Sequence, residues 1–154
     1  MGPKLNIINK KAKFEYTLMD QFSAGIVLTG TEIKSIRANK ASISESFCEF
    51  NDSGELFIIN MFIDKYSFGN QFDNHKTRNQ RKLLLNKKEL NKLFKQVKNK
   101  GLTIIPLKVF INEKGYAKVL ISLAKGKKLY DKRQSIKNRE NKIQLDRIKK
   151  KKNN

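Results

Sequence analysis

The chain has one cysteine, Cys48, one histidine, His75, and no tryptophan. A single cysteine excludes an intrachain disulfide, and with a single histidine it excludes a Cys/His zinc site. Cys48 lies in an apolar run, so it reads as a small packing residue and not as a nucleophile. One histidine also makes an acid–base dyad hard to build. No run approaches the roughly 20 apolar residues of a membrane span, and residues 1–13 lack the apolar core of a signal peptide, so a cytoplasmic location is expected. Acids are scarce: 14 Asp+Glu face 34 Lys+Arg, a net charge of +20. They are scattered, with no Asp-x-Asp or Glu-x-x-His cluster to gather a metal or a water. Gly126-Lys127-Lys128 lacks the first glycine and the Ser or Thr of a phosphate loop. These absences point to a protein that is not an enzyme and needs no cofactor.

What is present is positive charge. A surplus of +20 over 154 residues implies a polyanionic partner, nucleic acid or an anionic membrane. A membrane-surface role is weak, because the basic C-terminal stretch lacks the Trp, Phe or Leu face that interfacial helices use. A base composition poor in GC can supply lysines, but it does not explain so few acids.

The length suits one domain with a modest core. Phe14, Tyr16 and Leu18 alternate with Glu15 and Thr17 as in a half-buried strand. Residues 20–25 read as a turn and 25–29 as a second strand. Then comes Gly30-Thr31-Glu32-Ile33-Lys34-Ser35-Ile36-Arg37. Thr31 can cap a short helix, with Glu32 in its first turn where the dipole favours negative charge. Ile33 and Ile36 share a core-facing stripe; Lys34 and Arg37 share the opposite face. On spacing alone this describes any solvated amphipathic helix.

Phe47-Cys48-Glu49-Phe50 and Leu56-Phe57-Ile58-Ile59 flank Asn51-Asp52-Ser53-Gly54, a hairpin whose second arm is expected to run to about Ile63. Tyr66 and Phe68 could stack on bases, although buried packing is the commoner fate of aromatics. Residues 69–81, with Lys76, Arg78 and Arg81, read as a mobile basic loop carrying a solvated His75. Asn86-Lys87-Lys88-Glu89 opens the firmest helix by a variant capping box. Leu90, Leu93, Phe94 and Val97 form its apolar face, and Gly101 is its C-cap. Residues 102–111 and 116–123 make a second hairpin, with Pro106 marking a bulge or an edge.

The character changes at Ala124. Residues 125–154 hold 13 Lys+Arg and 3 Asp+Glu, half of the net charge. Leu129, Ile136 and Ile143 recur every seven residues, too thin a stripe to bury a face alone. The expected architecture is therefore a mainly β, antiparallel body over residues 1–124. The basic tail, 125–154, is expected to be disordered when free and helical in a charged groove. Strand-rich chains of this size can close into a barrel.

The octapeptide from Gly30 to Arg37 resembles the signature of the bacterial SsrA-binding protein family, small protein B, the partner of transfer-messenger RNA. Three further segments agree in order: Asn9-Lys10-Lys11-Ala12, Lys100-Gly101-Leu102-Thr103-Ile104-Ile105-Pro106, and Leu123-Ala124-Lys125-Gly126-Lys127-Lys128 with Asp131-Lys132-Arg133. The resemblance implies an oligonucleotide-binding (OB)-like β-barrel with flanking helices. It implies a body that grips the elbow of the transfer-RNA-like domain, with Asn9, Lys10, Glu32, Lys34, Arg37, Leu102 and Lys125 at or near that surface. A carboxylate such as Glu32 repels phosphate, so near RNA it must face a base edge or an adjacent cation. The complex would enter a stalled ribosome at the small-subunit decoding centre, with the tail as a helix in the vacant messenger channel. Lys127, Lys128, Tyr130, Asp131, Lys132, Arg133, Lys137 and Arg139 are the tail positions expected there. Tyr130 stands where many relatives have a histidine; it can stack but carries no charge near neutral pH. Alanyl-tRNA synthetase and elongation factor Tu are implied partners through the RNA, and the protein is expected to be a monomer. The alternative is a structural RNA-binding protein of ribosomal type with a basic extension.

Overall fold

Every second residue of β9, Ala117–Gly126, is apolar up to Leu123, and Val119 and Ile121 are fully buried. That alternation is the pattern of a strand with one face on a core. β9 is the last of nine strands in a computed structural model that describes residues 5–68 and 74–127. In chain order they are β1 (Asn6–Ile8), α1 (Ala12–Glu15), β2 (Tyr16–Ile26), α2 (Gly30–Arg37), β3 (Ala41–Ser42), β4 (Phe47–Phe50), β5 (Leu56–Ile59), β6 (Phe62–Ile63), β7 (Arg81–Leu84), α3 (Lys87–Lys100), β8 (Thr103–Ile111) and β9.

The large antiparallel sheet closes on itself. Its strands run β1-β8-β4-β5-β7-β2-β9, and β9 pairs back onto β8. Six strands thus form a ring, with β1 attached to the far half of β8, where Ile7 faces Val109. The narrowest seam is β4 to β8, through Cys48 and Ile104. Closure leaves the ring without the open strand edges that invite aggregation. Ile36, Ile58, Leu93, Ile104 and Ile121 are among the fully buried residues of the interior. The mainly β, OB-like barrel with flanking helices is therefore the fold observed.

Several boundaries differ from the sequence expectation. Residues 16–26 form one long strand, not two strands about a turn. β9 is continuous and β2 follows it from Tyr16 opposite Gly126 to Gly25 opposite Lys118. The turn-like residues are absorbed as a bulge between Leu18 and Gln21. Phe14 lies in the single turn of α1 instead of a strand. The second hairpin arm stops at Ile59, because Asn60 takes a left-handed φ of 61°, and Phe62–Ile63 pairs with β3 as a separate ribbon.

Other local signals are realised as written. Asn51 Oδ1 accepts from the backbone N–H groups of Ser53 and Glu55 at 3.1 and 2.8 Å, and Gly54 supplies φ 81°. Asn86 Oδ1 accepts from Glu89 N at 2.8 Å, and Gly101 ends α3 at φ 63°. Pro106 sits at a register shift of β8 against β9. Phe94, half exposed on α3, meets Phe50 edge to face at 5.4 Å.

Cys48 is buried beside the β4–β8 seam, and burial pushes its thiol pKa well up. A thiolate-directed reagent should therefore leave the folded protein unlabelled at neutral pH and label one site per chain once denaturant unfolds it. Stoichiometric labelling of the native protein would show that the seam opens.

Candidate nucleic-acid interface

Helix α2 begins two residues earlier than a cap at Thr31 would place it. Thr29 is its cap: Thr29 Oγ1 accepts from Glu32 N at 3.4 Å, and Glu32 Oε1 accepts from Thr29 N at 2.9 Å, a reciprocal capping box. Thr31 is freed for another task. Glu32 is only 4% exposed, and its Oε2 accepts from Arg81 Nε in a buried ion pair, Arg81 being 3% exposed. Arg81 then donates from Nη1 to Met61 O at 2.7 Å, and from Nη2 to Lys76 O at 3.1 Å and Thr77 O at 3.4 Å. One guanidinium thus ties α2 to the strand it belongs to and to two stretches of loop backbone. Arg81 is not part of a basic loop; it opens β7 and points inward.

His75 departs from expectation in the same way. It is buried, not solvated. Its Nε2 lies 3.0 Å from Ile63 O and its Nδ1 2.9 Å from Thr31 Oγ1. A carbonyl can only accept, so Nε2 donates to Ile63 O, and in the neutral ring Nδ1 accepts from the Thr31 hydroxyl. Asn74 brackets Tyr66, with Tyr66 N donating to Asn74 Oδ1 at 3.1 Å and Asn74 Nδ2 donating to Tyr66 O at 2.9 Å. Lys34 Nζ lies 5.3 Å over the Tyr66 ring. Around α2 the backbone at Tyr66, Lys76 and Thr77 is thus held by side-chain bonds.

The other expected residues fall in three places. Lys34 and Arg37 are exposed on the outer face of α2, opposite buried Ile36, and Arg37 Nη2 donates to Gly115 O at 3.2 Å. Asn9 is nearly buried; its Nδ2 donates to Pro106 O at 3.0 Å, which anchors exposed Lys10 beside β8. Asn9 and Lys10 line a cleft with Lys13, Leu18, Gln21 and Lys108. Leu102 and Lys125 line a second cleft with Met19, Asp20, Lys100 and Leu123. The first half of β2 thus runs between the two clefts, and the α2 cations line neither. The tail positions Lys128, Tyr130, Asp131, Lys132, Arg133, Lys137 and Arg139 lie outside the described residues. Lys127 is half-buried; its Nζ donates to Lys13 O at 2.9 Å and its backbone N–H to Glu15 O at 3.0 Å.

One row was missed from sequence. Gly25 faces Leu84 on one side and Lys118 on the other, so the three cross β7, β2 and β9 in register. Leu84 is 50% exposed although Leu83 is buried. The signal was the period of two within Leu83-Leu84, hidden by two identical apolar residues. Gly25 keeps the row flat, since a Cβ there would lie 3.4 Å from that of Leu84.

A protein-family model described as SmpB protein matches residues 6–151. The chain belongs to that family. It is 64% identical to the SsrA-binding protein of Flavobacterium psychrophilum over 95% of this chain and 96% of that one. It is 48% identical to the SsrA-binding protein of Brucella canis over 86% and 82%. Among solved structures it is similar to a chain described under "tmRNA-SmpB: a journey to the center of the bacterial ribosome". That likeness has a TM-score of 0.67 and 46% identity, over 81% of this chain and 86% of that one. Within this SmpB-family chain no group of three or more His, Cys, Asp or Glu side chains gathers among the described residues. No helix there is long and apolar enough to cross a membrane.

Burying the Glu32 charge opposite Arg81 makes the pair structural as well as electrostatic. Glu32→Gln should lower unfolding free energy in urea by about 3–5 kcal/mol, because it strands the guanidinium inside. Loss of a helix-dipole contact alone would cost only about 0.3–1 kcal/mol. A measured loss in the smaller range would mean that the pair is solvated in solution.

Proposed function

We propose that this protein binds the transfer-RNA-like domain of transfer-messenger RNA and carries it to ribosomes stalled without a stop codon, for trans-translation. It works as a binder and not as a catalyst. Membership of the SmpB family across residues 6–151, with relatives named SsrA-binding protein, is the observation that carries this reading. The +20 charge supplies affinity for a polyanion. The barrel supplies a rigid surface on which Lys34 and Arg37, the Asn9–Lys10 corner, and the Leu102–Lys125 cleft meet phosphates and bases. The row of exposed Leu84 and half-buried Lys118 adds an apolar and basic contact. Glu32 serves the RNA through Arg81, by fixing α2; a direct bond from Glu32 to a base edge would require the buried pair to open.

In this reading the body stands in for a missing anticodon arm at the decoding centre. The tail fills the empty messenger channel as a helix. Lys127 and Lys128 begin the tail, Lys132, Arg133, Lys137 and Arg139 meet channel phosphates, Asp131 lies among them, and Tyr130 stacks at the entrance without a charge. Alanyl-tRNA synthetase and elongation factor Tu act on the RNA it carries, and the protein acts as a cytoplasmic monomer.

A protein ending at Lys128 separates the two halves of the proposal. It should fold, bind the transfer-RNA-like domain with a modest loss, and still reach stalled ribosomes, yet fail to support peptide tagging. Replacing Asp131, Lys132 and Arg133 together by Ala should reproduce much of that failure. Full tagging by the shortened protein would withdraw the tail mechanism. Equal displacement of the RNA fragment by bulk transfer RNA at moderate salt would favour a general ribosomal-type RNA binder.

A further inference from the structure

Phe68 is 87% exposed, the most exposed large apolar side chain among the described residues. It is not isolated. Its ring meets Tyr66 at 5.6 Å between centroids and 64° between planes, and Lys34 Nζ lies 5.3 Å from the Tyr66 ring centroid. Lys34 and Arg37 project from the same exposed face of α2. An edge-to-face contact uses one side of the Phe68 ring and leaves the other open.

The support beneath this cluster is hydrogen-bonded. Asn74 holds both backbone polar groups of Tyr66, and its neighbour His75 is bonded to Thr31 and Ile63. Arg81 holds the carbonyls of Lys76 and Thr77. The Phe68–Tyr66 pair thus sits on bonded backbone at Tyr66 and beside the Lys34 ammonium.

We propose that Phe68, seated on Tyr66 and flanked by Lys34, is a stacking platform for an unpaired base of the bound RNA. This deepens the RNA-binding reading and rests on it. Aromatic faces beside cations suit a base whose own phosphate must be neutralised. Neither Phe68 nor the face it leaves open carries a hydrogen-bonding group, so the platform accepts any unpaired base and prefers the larger area of a purine. A protein partner is the less suited occupant, since the cluster offers a single open ring with one ammonium beside its Tyr66 seat.

The chain contains no tryptophan, which gives a direct readout. Full-length Phe68→Trp carries a unique fluorophore, and its emission should be quenched when the transfer-RNA-like fragment binds with affinity equal to or better than wild type. Phe68→Ala should bind about 5- to 150-fold more weakly, the range expected for losing one stacked base. Phe68→Leu should lose a similar factor, because bulk without a π face does not stack. All three should melt as wild type does, since the side chain is exposed. Phe68→Ala should keep the salt dependence of binding, whereas Lys34→Gln should reduce its slope by about 0.7–0.9. Binding by Phe68→Ala within twofold of wild type overturns the platform alone. So does Trp emission that RNA leaves unchanged. If wild type itself does not retain the fragment, the RNA-binding reading falls and the platform falls with it.

Discussion

The buried pair of Glu32 and Arg81 is the constraint on which the proposed RNA-binding surface depends. A barrel of this kind needs no interior charge to hold together; its core is aliphatic from Ile36 to Ile121. Yet one carboxylate and one guanidinium are enclosed where α2, β7 and the loop before β7 converge. Such a pair adds little net stability over an apolar alternative, but removing one partner is costly. Its value lies in geometry. It accepts one helix pose and one loop path, and it does so through bonds that an aliphatic contact could not specify.

Around that pair the fold divides its labour. The ring of strands gives a closed frame, and the capping box of Thr29 and Glu32 fixes where α2 starts. Glu32 therefore serves twice, with Oε1 on the helix cap and Oε2 on Arg81. Because the inward face of α2 is so fully committed, its outward face can carry Lys34 and Arg37 at fixed positions. A highly basic protein otherwise risks binding any RNA by charge alone. In the function proposed above, fixed placement of a few cations and aromatics turns the same charge into preference for one shape.

Local chemistry was legible in the sequence wherever a single residue decides it. Gly54, Gly101, Asn51 and Asn86 all act as their types predict. The helix at residues 30–37 and its two faces were also evident from spacing. What escaped was long-range. That residues 16–26 form one strand depends on the length of β9, more than ninety residues away. That Arg81 and His75 are buried depends on acceptors at Glu32, Met61 and Ile63, which no local pattern links to them. A polar, basic stretch reads as a solvated loop unless its partners are known. The capping residue was misplaced by two positions because Thr29 and Thr31 are chemically equivalent; only the fold assigns one to the helix and the other to His75.

The central claim is that Glu32 acts on RNA only through Arg81. A double-mutant cycle in RNA binding tests it most directly, with Glu32→Gln and Arg81→Met measured singly and together against the transfer-RNA-like fragment, at a temperature where all four proteins are folded. The account predicts that each single change weakens binding and that Glu32→Gln adds no further loss in the Arg81→Met background. A full, additive loss of about 1–3 kcal/mol from Glu32→Gln in that background would mean that the carboxylate reads a base itself, and would contradict the account.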